Sequence, residues 1–333
     1  LIHAKDGNRY NACYCTTNFT PRTLFSEILV DNDYKKTAIN SLFKTLATFS
    51  RAGEFEYDCV IIDEAHRSVK WKFCQGIRKD VDMIGKVFYS SRVNVFFIDE
   101  DQVVTKDDYL TIERIKEYAA KYKSEIIEGE ELHLTSQFRC LGGENYIRFI
   151  NSLLGYYNNK VKYRSSRYDF KVFDSPSELW EAIKEKQADY PKTRLLAGYT
   201  HEWVSKTDDT QYDFDMDGGK FRMKWNKNVS HSYINDADQY DRIGCIHTIQ
   251  GVDMDYAGVI LGKDIKYRNG MIVFDQSENA KTDSASGIRK ADKELADRMI
   301  RNTYKVLLTR AIYGTYIYCE DEELNNYIRS LVE

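Results

Sequence analysis

Two apolar runs in this chain of 333 residues end in carboxylates. Val60-Ile61-Ile62 leads into Asp63-Glu64-Ala65-His66, and Val93 to Ile98 leads into Asp99-Glu100-Asp101-Gln102. A β-branched run without alternation is the pattern of a strand buried on both faces. In open α/β sheets the carboxyl ends of such strands line the ligand crevice, so acids delivered there face a shared site. The first pair has the form of a Walker B element. Asp63 suits a Mg²⁺ ion held on phosphates, directly or through water, and Glu64 suits the orientation of an attacking water. Adjacent acids can also simply end a strand. Gln102, just past its own strand, is a neutral side chain able to bond a γ-phosphate or the attacking water. An exposed loop amide has the same sequence signature.

The elements that must position these groups alternate between helix and strand, the order expected of parallel sheets with crossover helices. Residues 11–17 read as a strand, and Pro21 opens a helix, proline being tolerated in a first turn. Over residues 34–50 the stripe Ile39, Leu42, Phe43, Leu46 and Phe49 predicts one helix packed on a sheet, with Gly53 as its stop. Residues 109–123 form an amphipathic helix, and Leu132-His133-Leu134 begins a new strand. A boundary near 130 divides the chain into domains 1–130 and 131–333. In the second, strands are expected at 170–173, 195–198, Ile243 to His247, Tyr256 to Leu261 and 316–319. Helices are expected at 177–187, introduced by Ser175-Pro176, and at 291–303. Asp217-Gly218-Gly219-Lys220, flanked by Phe214, Phe221 and Trp225, predicts a β-hairpin inserted within 207–229. The fold class is α/β, two domains with mostly parallel sheets.

Composition sets limits on function. The chain is 42% hydrophobic and 30% charged, as a globular protein is, with only three prolines and no apolar run of the ~18 residues a membrane-spanning helix needs. Seven cysteines, odd in number and without a C-x-x-C pair, point to a reducing, cytoplasmic setting and away from zinc or a disulfide framework. A formal charge of −4 lacks the basic excess of a dedicated nucleic-acid binder, so any such role must rest on motifs. The 25 tyrosines offer base-stacking surfaces as well as core packing.

Five segments fall in a telling order: Asp63-Glu64-Ala65-His66, Phe97-Ile98-Asp99-Glu100-Asp101-Gln102, Gln137-Phe138-Arg139, His247-Thr248-Ile249-Gln250-Gly251 and Leu308-Thr309-Arg310-Ala311. They resemble motifs II to VI of superfamily 1 helicases. The pattern is most similar to the helicase-like domain shared by Schlafen-type proteins and a bacterial family of unknown function (domain of unknown function family 2075), over nearly the whole chain. Superfamily 2 also uses Asp-Glu-Ala-His, but its Ser-Ala-Thr and Gln-x-x-Gly-Arg-x-x-Arg motifs are absent here.

The resemblance implies tandem RecA-like domains with ATP and Mg²⁺ in the cleft between them. It implies that Arg139 and Arg310 place guanidinium groups on the transferring phosphoryl group, an arrangement worth ~10³–10⁵ in rate where it operates. It also implies that His247 and Thr248 couple nucleotide state to a nucleic-acid groove. Gln250 would hydrogen-bond, Gly251 would let the backbone approach the nucleotide, and Asp253 would reach the ribose, although the family more often has Glu at that position. Thr17, Asn18 and Arg22 sit where the family's first nucleic-acid-contacting loop follows its strand, and a capped helix start would use similar residues. Structural and functional roles both remain open for His66 and His247.

The phosphate cradle Gly-x-x-x-x-Gly-Lys-Ser/Thr that such enzymes need is absent from the sequence. The expectation is a chain truncated before the first strand and P-loop, and inactive alone. The reading is an ATP-dependent DNA or RNA helicase or translocase with single-stranded nucleic acid as partner and no membrane. Alternatives are a non-translocating ATP-driven switch in defence or stress response, or a nucleic-acid-binding module without catalysis.

Overall fold

The computed structural model describes residues 10–16, 26, 28–74, 77–134, 140–157, 159–164, 167–227 and 233–332. The chain divides into two compact units, Leu1–His133 and Leu134–Glu333.

In the first unit, β1 (Ala12–Thr16), β2 (Phe43–Lys44), β3 (Tyr57–Asp63) and β6 (Ser91–Phe96) form a parallel sheet in the order β2-β1-β3-β6. Strands β4 (Trp71–Cys74) and β5 (Ile77–Asp80) make a separate antiparallel hairpin. Cys13, Cys15, Val60 and Ile62 pack from one face of the sheet into a core completed by Phe49, Leu110 and two residues of helix α2 (Met83–Ser90), Val87 and Phe88. The helix expected over 34–50 is interrupted. Helix α1 (Lys36–Leu42) ends where the backbone of Phe43 and Lys44 finds the free edge of β1, and a 3₁₀ turn over Leu46–Arg51 follows. Ile39, Leu46 and Phe49 are buried as the stripe required, but Leu42 is exposed.

β6 corrects a second expectation. It is an edge strand among the described residues, and Val93 and Val95 are exposed. Only its other face enters the core, where Phe96 stacks on Phe88 of α2 at 5.7 Å. Helix α3 (Ile112–Tyr122) completes the unit, its first turn capped by the Thr111 hydroxyl, which accepts from Arg114 N. Glu130–Leu132 forms a 3₁₀ turn where a strand start was expected.

Among the described residues, the main sheet of the second unit has seven strands in the order β7-β15-β12-β8-β11-β10-β9. These are β7 (Asp169–Val172), β8 (Arg194–Ala197), β9 (Phe214–Met216), β10 (Phe221–Trp225), β11 (Arg242–Gly244), β12 (Met254–Leu261) and β15 (Ala311–Cys319). Every pairing is parallel except β9 with β10, the expected hairpin, which extends the sheet at its β11 side. A second hairpin, β13 (Ile265–Arg268) with β14 (Met271–Phe274), stands apart from the sheet. Helices α4 (Gly143–Leu153), α5 (Pro176–Asp189), α6 (Ile246–Ile249), α7 (Lys293–Leu308) and α8 (Glu322–Leu331) complete it. Ser175 caps α5 ahead of its N1 proline, accepting from Glu178 N. Leu179 and Ile183 of α5 meet Leu195, Ile243, Ile260 and Tyr316 in a core that continues to Phe214 and Trp225 of the hairpin.

Arg194 is fully buried in this unit, and its donors go to backbone carbonyls: Pro191 and Thr193 at 2.8 Å, Tyr233 at 3.3 Å, and Ile234. Tyr240 covers the guanidinium at 4.1 Å. The side chain thus ties the segment before β11 to the start of β8. Stranding buried carbonyls costs about 1–3 kcal/mol each. Arg194→Met is therefore expected to lower unfolding free energy by about 3 kcal/mol in urea titrations; a loss below about 1 kcal/mol contradicts this pinning role.

Candidate functional site

In the first unit the ladder fixes where the acids lie. Asp63 is the last residue of β3, opposite Thr16 of β1, and Glu64 turns the chain out of the sheet in the left-handed region (φ 49°, ψ 47°). For a side chain without Asn- or Asp-type local bonding that conformation costs roughly 1–2 kcal/mol, and such strain concentrates at functional positions. Two backbone bonds bind the strand ends together: Phe97 N donates to Ile62 O at 2.9 Å and Ala65 N to Phe97 O at 2.8 Å. The two acid-tipped runs therefore end side by side.

Asp63 accepts from Glu64 N at 3.0 Å through Oδ1 and from the Tyr14 hydroxyl through Oδ2. His66, buried, lies with Nε2 3.2 Å from Glu64 Oε2, while its Nδ1 accepts from Asp99 N at 3.4 Å. With Nδ1 accepting, the ring proton of a neutral imidazole sits on Nε2, which approaches Glu64 Oε2 without hydrogen-bond geometry. Asp99 in turn accepts from Gln102 Nε2 at 2.8 Å and from Asp101 N at 3.0 Å, capping the 3₁₀ turn Glu100–Gln102. Glu100 Oε1 accepts from Ile112 N at 3.0 Å, fastening this turn to the start of α3. Asp63, Glu64 and Gln102 are thus parts of one connected set. Tyr14 was not singled out from sequence, and Asp99 was read only as one of the acids that end its strand. Asp99 had a local signal, a turn-capping acid three residues before Gln102; Tyr14, reaching across from another strand, had none.

A single carboxylate is a thin metal site, and no group of three or more metal-ligating side chains occurs among the described residues. It nonetheless suits Mg²⁺, which is commonly held by one or two carboxylates plus substrate phosphates and waters.

In the second unit the candidates separate into two places. His247 and Thr248 lie on α6, a helical turn, not on the strand expected there, just past the carboxyl end of β11. His247 Nε2 is 3.2 Å from Asp283 Oδ1, a carboxylate 36 residues away that sequence reading did not connect to it. Asp283 also accepts from Asn279 Nδ2 at 3.2 Å and Ser286 N at 3.1 Å. The Thr248 hydroxyl lies 3.4 Å from Cys245 Sγ, a local contact within the turn. Gln250 is buried, Gly251 takes φ 85°, which favours glycine, and Asp253 is exposed just before β12. Arg310, 2% exposed, sits between α7 and β15, and its carbonyl accepts from Met254 N at 3.2 Å. Asp253 and Arg310 therefore share the amino ends of β12 and β15, away from His247. Arg139, Thr17, Asn18 and Arg22 lie outside the described residues.

Burial tends to raise the Asp283 carboxyl, but the hydrogen bond and charge of His247 and the bonds from Ser286 outweigh it and hold it at about 2. A depressed folded-state value contributes stability above the ordinary value of 3.8 that is lost as pH falls through about 2. Asp283→Asn is expected to lower stability at pH 7 by about 2 kcal/mol, with the deficit shrinking below about pH 4, as read from urea midpoints. A deficit that stays constant down to pH 2 contradicts the assignment.

Cys13, Cys15, Cys59, Cys140, Cys245 and Cys319 are free thiols, and no helix among the described residues is long and apolar enough to cross a membrane.

The chain thus combines parallel α/β sheets with a strand-end Asp-Glu pair linked to a downstream Gln, and its class is that of a helicase-like domain by family. The chain belongs to the Schlafen group 3 DNA/RNA helicase domain family, matched over residues 1–321. It is also 32% identical over 174 residues to an uncharacterized protein of Saccharomyces cerevisiae; that match takes in 50% of this chain and only 37% of the relative's length. Two solved structures align at 10% identity. The Pyrococcus furiosus Hef helicase domain has a TM-score of 0.33 over 97% of this chain and 89% of its own. S. cerevisiae Dbp5 bound to RNA and ADP BeF3 has a TM-score of 0.31 over 98% and 75%.

Proposed function

We propose that this domain is the motor of an ATP-dependent, superfamily 1-type helicase or translocase that works on single-stranded DNA or RNA. The observation that carries the reading is the connected set Asp63, Glu64, His66, Asp99 and Gln102 at two adjoining strand ends. In this reading Asp63 holds Mg²⁺ carried in with ATP; the ion would neutralise charge on the phosphates. Glu64, beside His66, orients the attacking water and accepts its proton. Gln102, held through Nε2 by Asp99, turns its amide oxygen toward that water or the γ-phosphate region. Arg139 and Arg310 are proposed as the guanidinium groups that stabilise the transferring phosphoryl group, and Gln250, Gly251 and Asp253 as nucleotide contacts. Thr17, Asn18, Arg22, His247 and Thr248 are proposed for the nucleic-acid track.

The test uses the full-length protein: phosphate release from ATP with and without single-stranded DNA and RNA, alongside binding across a salt series. Stimulation by one of the nucleic acids, with binding that weakens as salt rises, supports the reading. Hydrolysis indifferent to every nucleic acid tried argues against translocation and for the nucleotide-switch alternative, which the net charge of −4 suits.

A further inference from the structure

We propose that Tyr14 is a positioning residue for the metal-binding carboxylate, its phenol holding Asp63 in the orientation from which the cation of a Mg·ATP substrate is taken. The inference rests on the phosphate-hydrolysing reading above and adds a residue that no motif of the sequence marks.

Thr16 of β1 pairs with Asp63 of β3, so Tyr14 lies two residues back on the same face of the sheet. Diagonal neighbours of this kind are within reach of long aromatic side chains. The Tyr14 hydroxyl donates to Asp63 Oδ2, and Glu64 N donates to Oδ1 at 3.0 Å. A carboxylate presents about four lone-pair sites, so each oxygen keeps one position for a cation while the two donors stop the group from rotating. The donor is itself held: the Tyr14 ring meets Phe43 of β2 edge-on, with centroids 5.7 Å apart and planes at 77°. Three neighbouring strands thereby determine how one carboxylate faces. Tyr14 is only half-buried, and a phenylalanine would fill its place in the packing equally well. The hydroxyl is therefore the part of the side chain that bears on Asp63.

The experiment compares wild type, Tyr14→Phe, Tyr14→Leu and Asp63→Asn in the full-length protein. Mn²⁺ serves as the probe cation in the presence of ATP, free Mn²⁺ is followed by its EPR signal, and hydrolysis is measured against Mg²⁺ concentration. Removing an outer partner of a metal-ligating carboxylate typically weakens metal affinity 10–100-fold, so Tyr14→Phe is expected to raise the half-saturating metal about 10-fold. Turnover at saturating metal should stay within about two-fold, the split that separates positioning from chemistry. Tyr14→Leu, which also removes the ring, should match Tyr14→Phe in metal affinity and differ from it by a lower melting temperature. Unchanged metal dependence in Tyr14→Phe, with Asp63→Asn strongly weakened, overturns the inference and leaves the function standing. Asp63→Asn binding Mn²⁺ as wild type does overturns the function, and the role of Tyr14 with it.

Discussion

Glu64→Gln should leave nucleotide binding within a few-fold of wild type while lowering ATP turnover by about 10²–10⁴, the range that a positioned general base contributes. The substitution is nearly isosteric. An amide at this position fits the same space beside His66 Nε2, 3.2 Å away in the native pair. What it cannot do is take a proton from water. Phosphate release at saturating ATP, Mg²⁺ and nucleic acid, paired with a fluorescent-nucleotide titration, reads the two quantities separately. Turnover equal to wild type would remove Glu64 from the chemistry and with it the main support for hydrolysis at the end of β3.

Asp264→Asn is expected to stabilise the protein at pH 8 by roughly 4 kcal/mol, the cost of a shift of about three pKa units. Asp264 follows β12 and is buried, with no ion pair to a described residue; the Tyr304 hydroxyl donates to its Oδ1 and accepts from Gly262 N at 2.9 Å. Tyr304 is closely fitted, since a Cβ on Gly198 would stand 2.1 Å from its hydroxyl. Burial, the largest cause, pushes the Asp264 carboxyl up, and Glu320 and Glu278 add to it. The bonds from Tyr304 and from its own backbone only partly offset this, leaving it at about 7. Below the ordinary value of 3.8 both folded and unfolded chains carry the proton, and the stabilisation from the protonated form is complete. Between there and about 7 only the folded chain keeps it, so wild-type stability falls as pH rises, by about 1.4 kcal/mol per unit. Above that point no further loss occurs. Asparagine does not titrate and can still accept from Tyr304. The advantage of the variant should therefore grow from pH 4 to 7 and then level off. Parallel stability profiles for the two proteins would contradict the buried, neutral state of Asp264.

The strand that presents Asp63 and Glu64 was legible because Val60-Ile61-Ile62 is β-branched and unbroken, and the α5 start was legible because Ser175-Pro176 is a local capping signal. Local signals failed where long-range pairing decided the outcome. The stripe over 34–50 has a helical period, yet Phe43 and Lys44 leave the helix for the edge of β1, a partner some 30 residues distant in sequence. The run ending in Ile98 is apolar for pairing with β3, not for burial on two faces, so its outer side chains are exposed. His247 was read onto a strand because Ile243 to Ile246 is apolar; the strand stops at Gly244 and the rest coils into a turn against Asp283. The partners that orient candidate groups, Tyr14 for Asp63 and Asp283 for His247, are set by topology, which a single sequence does not encode in any nearby pattern.

The bond from Ile112 N to Glu100 ties a helix to the turn beside the acidic strand ends. The same short turn that carries Gln102 plugs the amino end of α3, and Asp99, at its base, leans on His66. The turn that holds Gln102 and the 11-residue helix α3 therefore share one anchor, the Glu100 carboxylate on the helix's first backbone N–H.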